Sequence, residues 1–312
     1  MKRFKKILVV AHSKSKGQVT LKRAVALAET NQATLTVVEA IERLPPDAQT
    51  LITSMPLEDI QNMIVEERLK GLNQLISPIK EKGIQVSSKV LLGTPFIEII
   101  HEVLRNKHDL VMITAESNGG LRETLFSTTT MHLMRKCPCP VWAIRATKRG
   151  RFARILAAVD LDPSDEVKSQ LNAKIIQLAA SLAQSEKSKL HVIHTWSLYG
   201  ESFLSTLARV QERDMDELVN KAEKVHKKWL EGFLQEYTPG IPKSQIHLMH
   251  GDAGRLIPEL ARKKRIELFV MGTVGRTGIP GLLIGNTAER ILQCVTCSVL
   301  AVKPDGFISP VM

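Results

Sequence analysis

Short runs of consecutive apolar residues alternate along this chain with longer stretches whose apolar positions recur at helical spacing. In the carboxyl-terminal half, "RILAAVD", "KLHVIHTW", "QIHLMHG", "ELFVMG" and "SVLAVK" read as strands. The segments between them, "SQLNAKIIQLAASLAQ", "MDELVNKAEKVHKKWLEGFLQ", "AGRLIPELARKK" and "NTAERILQC", read as helices. Strands that are nearly continuous in Val, Ile and Leu must be covered on both faces, which predicts a parallel sheet between helical layers. Right-handed crossovers then give an α/β, doubly wound fold. Ligands in such folds collect at the carboxyl ends of the strands.

The same pattern is written twice. "FKKILVVAH" (Phe4 to His12) matches "FARILAAVD" (Phe152 to Asp160), and "HDLVMITAES" matches "IELFVMGTVG". The match runs on to "CPVWAI" against "CSVLAV", with the second copy longer in its middle. The reading is therefore two tandem domains, 1–147 and 152–304, with a tail at 305–312 and a short basic seam, "RATKRGRF", between the copies. A chain of 312 residues agrees with two cores rather than one.

Composition narrows the classes. Hydrophobic content of 44% and charged content of 24% fit a soluble globular protein. The apolar run Ile7 to Ala11 is too short for a signal peptide, and no stretch approaches a membrane span, so a cytoplasmic location without membrane contact is expected. Four cysteines do not make a disulfide scaffold. The net charge of +11 favours polyanions in general, but the basic residues are dispersed along helix faces. Two Tyr and three Trp leave few stacking platforms, which argues against nucleic acid.

Candidate chemistry concentrates in "GTVGRTGIPGLLIGNTAERIL". Met271 and Gly272 end the fourth strand of the second copy, and Asn286 and Thr287 stand where the next helix begins. Helix starts present unpaired N–H groups at the positive end of the dipole, and Gly285 would let a ligand oxygen reach them. An ordinary glycine-rich connection with a helix cap is the plain alternative. No Walker-type loop, no dinucleotide fingerprint after either first strand, no serine-hydrolase elbow and no HExxH motif is present.

The spacing Gly272-x2-Gly275-x9-Gly285 followed by a small polar residue resembles the ATP-binding signature of the universal stress protein family. "GTVGRTGI", "GNTAE" and "RKCPCPVW" look most like its tandem UspE-type members. The resemblance implies two Rossmann-like domains, each a five-stranded parallel sheet in order 3-2-1-4-5, and a regulatory or sensor role in the stress response. It implies ATP, or AMP or ADP, with or without magnesium, and at most slow hydrolysis. Carried over by position, Asp160 and Val192 would meet the nucleoside. Met271, Gly272, Val274 and Gly275 would form the loop after the fourth strand, and Gly285, Asn286 and Thr287 the phosphate turn. Asn286 departs from the Ser or Thr of the pattern; its amide can still cap and donate. In the first copy Thr114, Ser117 and Ser127 replace the glycines and His12 replaces the aspartate, so one nucleotide per chain is expected.

Two further clusters read as structural. Cys137, Cys139, Cys294 and Cys297 resemble a zinc set only in number, and buried thiols are expected instead. His191 and His194, like His247 and His250, are three residues apart along a strand and fall on opposite faces, which opposes a metal site within one strand. They are expected as polar residues at strand ends. The final strands, Val141–Ile144 and Val299–Val302, are expected to pair, and the chain to act as an internal pseudo-dimer or as a homodimer. Three functions follow: an adenine-nucleotide-binding stress protein, an ATP-independent scaffold or carrier of another small ligand, or a polyanion binder. Protein partners are not legible.

Overall fold

The computed structural model describes residues 4–11, 18–47, 55–115, 126–147, 150–198, 212–273 and 284–311, which fall into two compact units. The first contains Met1–Gly150, Ser298–Ala301 and Phe307–Met312. Its elements are β1 (Lys6–Val10), α1 (Gln18–Asn31), β2 (Thr34–Ile41), α2 (Leu57–Glu81), β3 (Val86–Leu92), α3 (Pro95–Asn106), β4 (Leu110–Thr114), α4 (Thr128–Lys136) and β5 (Val141–Ile144). The strand order is β3-β2-β1-β4-β5, with every pairing among these strands parallel. Ile7, Leu8 and Val9 are fully buried in the central strand, as a sheet covered on both faces requires.

The second unit contains Arg151–Cys297 and Val302–Gly306. Its elements are β6 (Arg154–Val159), α5 (Glu166–Glu186), β7 (Lys189–Trp196), α6 (Glu212–Tyr237), β8 (Ile246–His250), α7 (Ala253–Lys263), β9 (Leu268–Gly272), α8 (Asn286–Cys294) and β10 (Ser298–Val302). Its strand order, β8-β7-β6-β9-β10, repeats that of the first unit. The order implied by the resemblance is therefore present in both copies.

Each repeat starts its first strand in the same way. In the first unit the Asp109 carboxylate accepts the Lys5 and Lys6 amides at 2.6 and 3.0 Å. In the second, Glu267 accepts the Ala153 amide and Glu186 accepts the Phe152 amide, the latter at 2.7 Å. An acid at the start of the fourth strand thus anchors the neighbouring first strand in both copies. This anchor is polar, short-range in space and long-range in sequence.

Spatial grouping departs from the linear boundaries at the last strand. Ser298–Ala301 group with the first unit, because β10 pairs antiparallel with β5 in the register Val299↔Ala143, Leu300↔Trp142 and Ala301↔Val141. That is the pairing expected of the two final strands, and all of their residues are buried. Val302 stays with the second unit, where its carbonyl accepts the Thr273 amide at 3.2 Å.

Candidate functional site in the second unit

A cavity of about 930 Å³ opens at the carboxyl ends of β6, β7 and β9. Its residues include Asp160, Thr195, His226, Met271 and Thr273, and it reaches the start of α8 at Gly285, Asn286 and Thr287. This is where a doubly wound sheet leaves a crevice between the loops that follow its central strands.

Asp160 follows β6 directly, and its backbone is held from α5. Its N–H donates to Asn172 Oδ1 at 3.0 Å, and its carbonyl accepts from Asn172 Nδ2 at 2.8 Å. Asn172 is buried for this purpose, a polar residue on the apolar face of an otherwise amphipathic helix. The Asp160 side chain is 69% exposed and meets Lys168 Nζ at 3.0 Å. Burial pulls the Lys168 pKa down, but Asp160 and then Asp162 and Asp165 outweigh it and hold the ammonium above its ordinary value. Asp160 thus points into the cavity mouth from a fixed backbone, already charge-paired on one side.

The opposite wall is the start of α8. Gly285 is the N-cap, with φ −71° and ψ 141°, and Asn286 is the first helical residue. The expectation of an amide cap from Asn286 is corrected here: the cap residue is Gly285, which has no side chain to offer the first-turn amides. Gly285 spends its own N–H on the Thr273 carbonyl at 2.9 Å, which fastens the turn to the end of β9. Thr273 is fully buried, and among the described residues its Oγ1 has no hydrogen-bond partner although it lines the cavity. A buried hydroxyl without a partner is costly, so its position beside an uncapped helix start marks a place for a polar ligand.

Gly272 has a packing reason of its own. A Cβ there would lie 2.9 Å from Leu171 Cδ2, so glycine lets α5 close onto β9. Met271 is almost fully buried beside it and lines the cavity. Val274 and Gly275 lie outside the described residues, as do His12, Ser117, Gly119 and Gly120 of the first copy.

Val192 does not reach the cavity. It is fully buried within β7, opposite Ala157 of β6 and Ile246 of β8, whereas the cavity is lined from β7 by His194, Thr195 and Trp196. The strand runs several residues past Val192 before its carboxyl end. Thr195, nearer the carboxyl end of β7, lines the cavity instead.

The histidines depart further from expectation. His191 Nδ1 lies 3.1 Å from His247 Nε2, while His194 Nε2 lies 2.9 Å from Nδ1 of His226 on α6. The spacing of three does send His191 and His194 to different partners, yet both are buried imidazoles within β7 rather than polar strand ends. Burial first of all pushes His194 and His247 down to about 4. Burial also lowers His226, against the pull of Asp160 and Asp162. Trp196 stacks on both His226 and His250, with ring centres at 5.0 and 4.5 Å. Sequence reasoning missed His226 and Trp196; the signal available was a lone His–x2–Trp on a polar helix, which has no meaning until α6 is placed.

In the first unit the equivalent helix start is closed by a side chain. Ser127 Oγ accepts the Thr130 amide at 3.2 Å and caps α4, as the "STTT" run predicts. Thr114 spends its hydroxyl on Thr20 at 2.8 Å. The cysteines are free: Cys137 and Cys139 are buried with sulfurs 3.6 Å apart, and Cys297 is buried, but Cys294 is exposed, contrary to expectation. Cys294 ends α8 on its solvent side, which apolar spacing alone does not reveal.

Two doubly wound units of the same topology, the second with a ligand-sized crevice closed by an uncapped helix start, define a tandem α/β protein. The family model "Universal stress protein family" matches residues 3–145 and again 151–303, so the chain belongs to that family and carries its domain twice. It is 27% identical over 313 residues to Universal stress protein E of Escherichia coli (strain K12), covering 100% of this chain and 98% of that protein. The Universal stress protein E homolog of Haemophilus influenzae is 26% identical over 308 residues, 97% of this chain and 98% of its own. Among solved structures, a functionally unknown protein from Pseudomonas aeruginosa PAO1 is similar with a TM-score of 0.75 and 28% identity over 97% of this chain and 94% of that one. A universal stress protein from Archaeoglobus fulgidus shares the fold, with a TM-score of 0.60 at 16% identity over 96% of this chain and 98% of that one. The likeness to tandem UspE-type members thus runs the length of the chain.

Proposed function

We propose that the second unit binds an adenine nucleotide, ATP or its AMP or ADP forms, and that the chain acts as a regulator or sensor in the stress response. The observation that carries this reading is the pairing of an uncapped α8 start with the buried, unpartnered hydroxyl of Thr273 in one cavity. Backbone N–H groups at a helix start suit phosphate oxygens, and the hydroxyl can donate to the same group. Asp160 faces the cavity from the other side and suits the nucleoside. Isothermal calorimetry with ATP is expected to give one site per chain, since Ser127 fills the corresponding helix start in the first unit. Two sites would contradict the assignment to the second unit alone.

A second reading is an ATP-independent carrier of another small ligand. It is favoured by one observation: Asp160 is already engaged by Lys168 at 3.0 Å, so a nucleoside would have to share or displace that partner. Absence of ATP binding in the same calorimetry would select this reading.

A further inference from the structure

Asp160 is fixed at two levels. Asn172 holds its backbone through both the N–H and the carbonyl, at 3.0 and 2.8 Å. The side chain is held separately, from the first turn of α5, where Lys168 Nζ lies 3.0 Å from Asp160 Oδ2. Among the described residues no hydrogen bond reaches Asp160 Oδ1, and the residue lines the cavity. One carboxylate oxygen is therefore engaged by the ammonium, and the other keeps its lone pairs for a donor.

Lys168 is itself restrained. Its side chain is 28% exposed, and both it and Asp162 line the cavity. Asp162 Oδ2 lies 4.0 Å from Nζ, while Asp162 Oδ1 accepts the Ser164 hydroxyl at 2.6 Å and the Ser164 amide at 3.1 Å. The Asp165 carboxylate accepts the Lys168 amide at 3.0 Å and so fixes the point from which the lysine stem leaves α5. A chain of contacts thus runs from Ser164 through Asp162 and Lys168 to Asp160. An ion pair between two mobile surface side chains contributes little, because both lose rotamer freedom in forming it. Here the lysine is largely covered and the aspartate backbone is clamped, so less freedom remains to be lost.

We infer that Lys168 is a positioning residue of this cavity: by holding Asp160 Oδ2 it fixes the carboxylate so that Oδ1 meets a donor of the bound nucleoside. This rests on the nucleotide reading above and lets Asp160 serve a ligand while engaged by Lys168, because the two oxygens take different partners. Without the ammonium the carboxylate turns freely in water, and the ligand has to order it on binding. A lysine that merely competes for Asp160 would have the opposite effect, since removing a competitor strengthens binding.

A double-mutant cycle on the full chain separates these cases, with ATP affinity measured by calorimetry. Lys168→Met keeps an apolar stem and removes the charge. It is expected to weaken ATP binding about three- to fivefold in the wild-type background. In the Asp160→Ala background the same change is expected to have no effect, because no carboxylate is left to position. Thermal melting of the ligand-free variants checks that each is folded, and Lys168→Gln replaces Lys168→Met if the latter is not. An equal loss in both backgrounds overturns the inference, because the ammonium then acts on the nucleotide without Asp160. Tighter ATP binding by Lys168→Met overturns it in favour of competition, and unchanged binding overturns it outright. No ATP binding by the wild-type protein removes the nucleotide reading itself, and this inference with it.

Discussion

Asp160 shows how a single side chain is held in place by its neighbours. Asn172 fixes its backbone through two hydrogen bonds, and Lys168 holds its carboxylate at 3.0 Å. Asp160→Ala should therefore weaken ATP while leaving inorganic triphosphate nearly untouched, because the proposed nucleotide binding sets this side chain at the nucleoside end. Loss of a hydrogen bond to a charged group costs roughly 1.5–3 kcal/mol, or about ten- to a hundredfold in affinity. Competition binding with ATP and triphosphate reads this directly, and an equal loss for both would place Asp160 at the phosphates instead.

At the scale of elements, the start of α8 and the partners of β7 make separate predictions. Gly285 has φ −71° and ψ 141°, an extended conformation open to any residue, so its backbone angles do not demand glycine. Gly285→Val should then abolish ATP binding with little change in the melting temperature of the free protein, since the branched side chain would stand over the α8 amides. A strong fall in melting temperature with ATP affinity retained would show that glycine serves the turn alone. His194 on β7 and His247 on β8 stay neutral down to about pH 4 in the folded chain, against an ordinary value of 6.5. The unfolded chain therefore binds more protons between these values, and stability rises with pH across that window. Stability should be complete above about pH 6.5 and be lost as pH falls toward 4, by at most ~1.4 kcal/mol per pH unit for each fully titrating group. The half-exposed His247 contributes the smaller share. Thermal melts at pH 7.5, 6 and 5 check this, and identical midpoints would mean the imidazoles are not buried as pairs. Asp162, held low first by its bond from Ser164, adds to acid sensitivity only below this window.

For the whole molecule, duplication has produced two copies of one topology with different chemistry at matching helix starts. Ser127 caps α4 with its own oxygen, whereas Gly285 leaves α8 open. Removing the open start should therefore take the chain from one nucleotide to none, and calorimetry on Gly285→Val should show no weaker second site appearing in the first unit. The dispersed net charge of +11 needs no nucleic-acid partner to explain it. Among the described residues, no helix is long and apolar enough to cross a membrane.

What the chain reveals by itself is what depends on local order. Apolar runs such as "KILVV" and "RILAAV" can only be central strands, the two copies align residue against residue, and glycine spacing marks the loop after β9. Family membership followed from that spacing together with the repeat. The tertiary structure alone decided where β7 ends relative to β6, and so put Thr195 rather than Val192 at the cavity. It alone brought His226 from α6 to His194 on β7, residues 32 apart in the sequence with no pattern that links them. Periodicity records which face of an element is buried; it carries no information about which distant residue that face will meet, because that contact is set by packing among elements far apart in the chain.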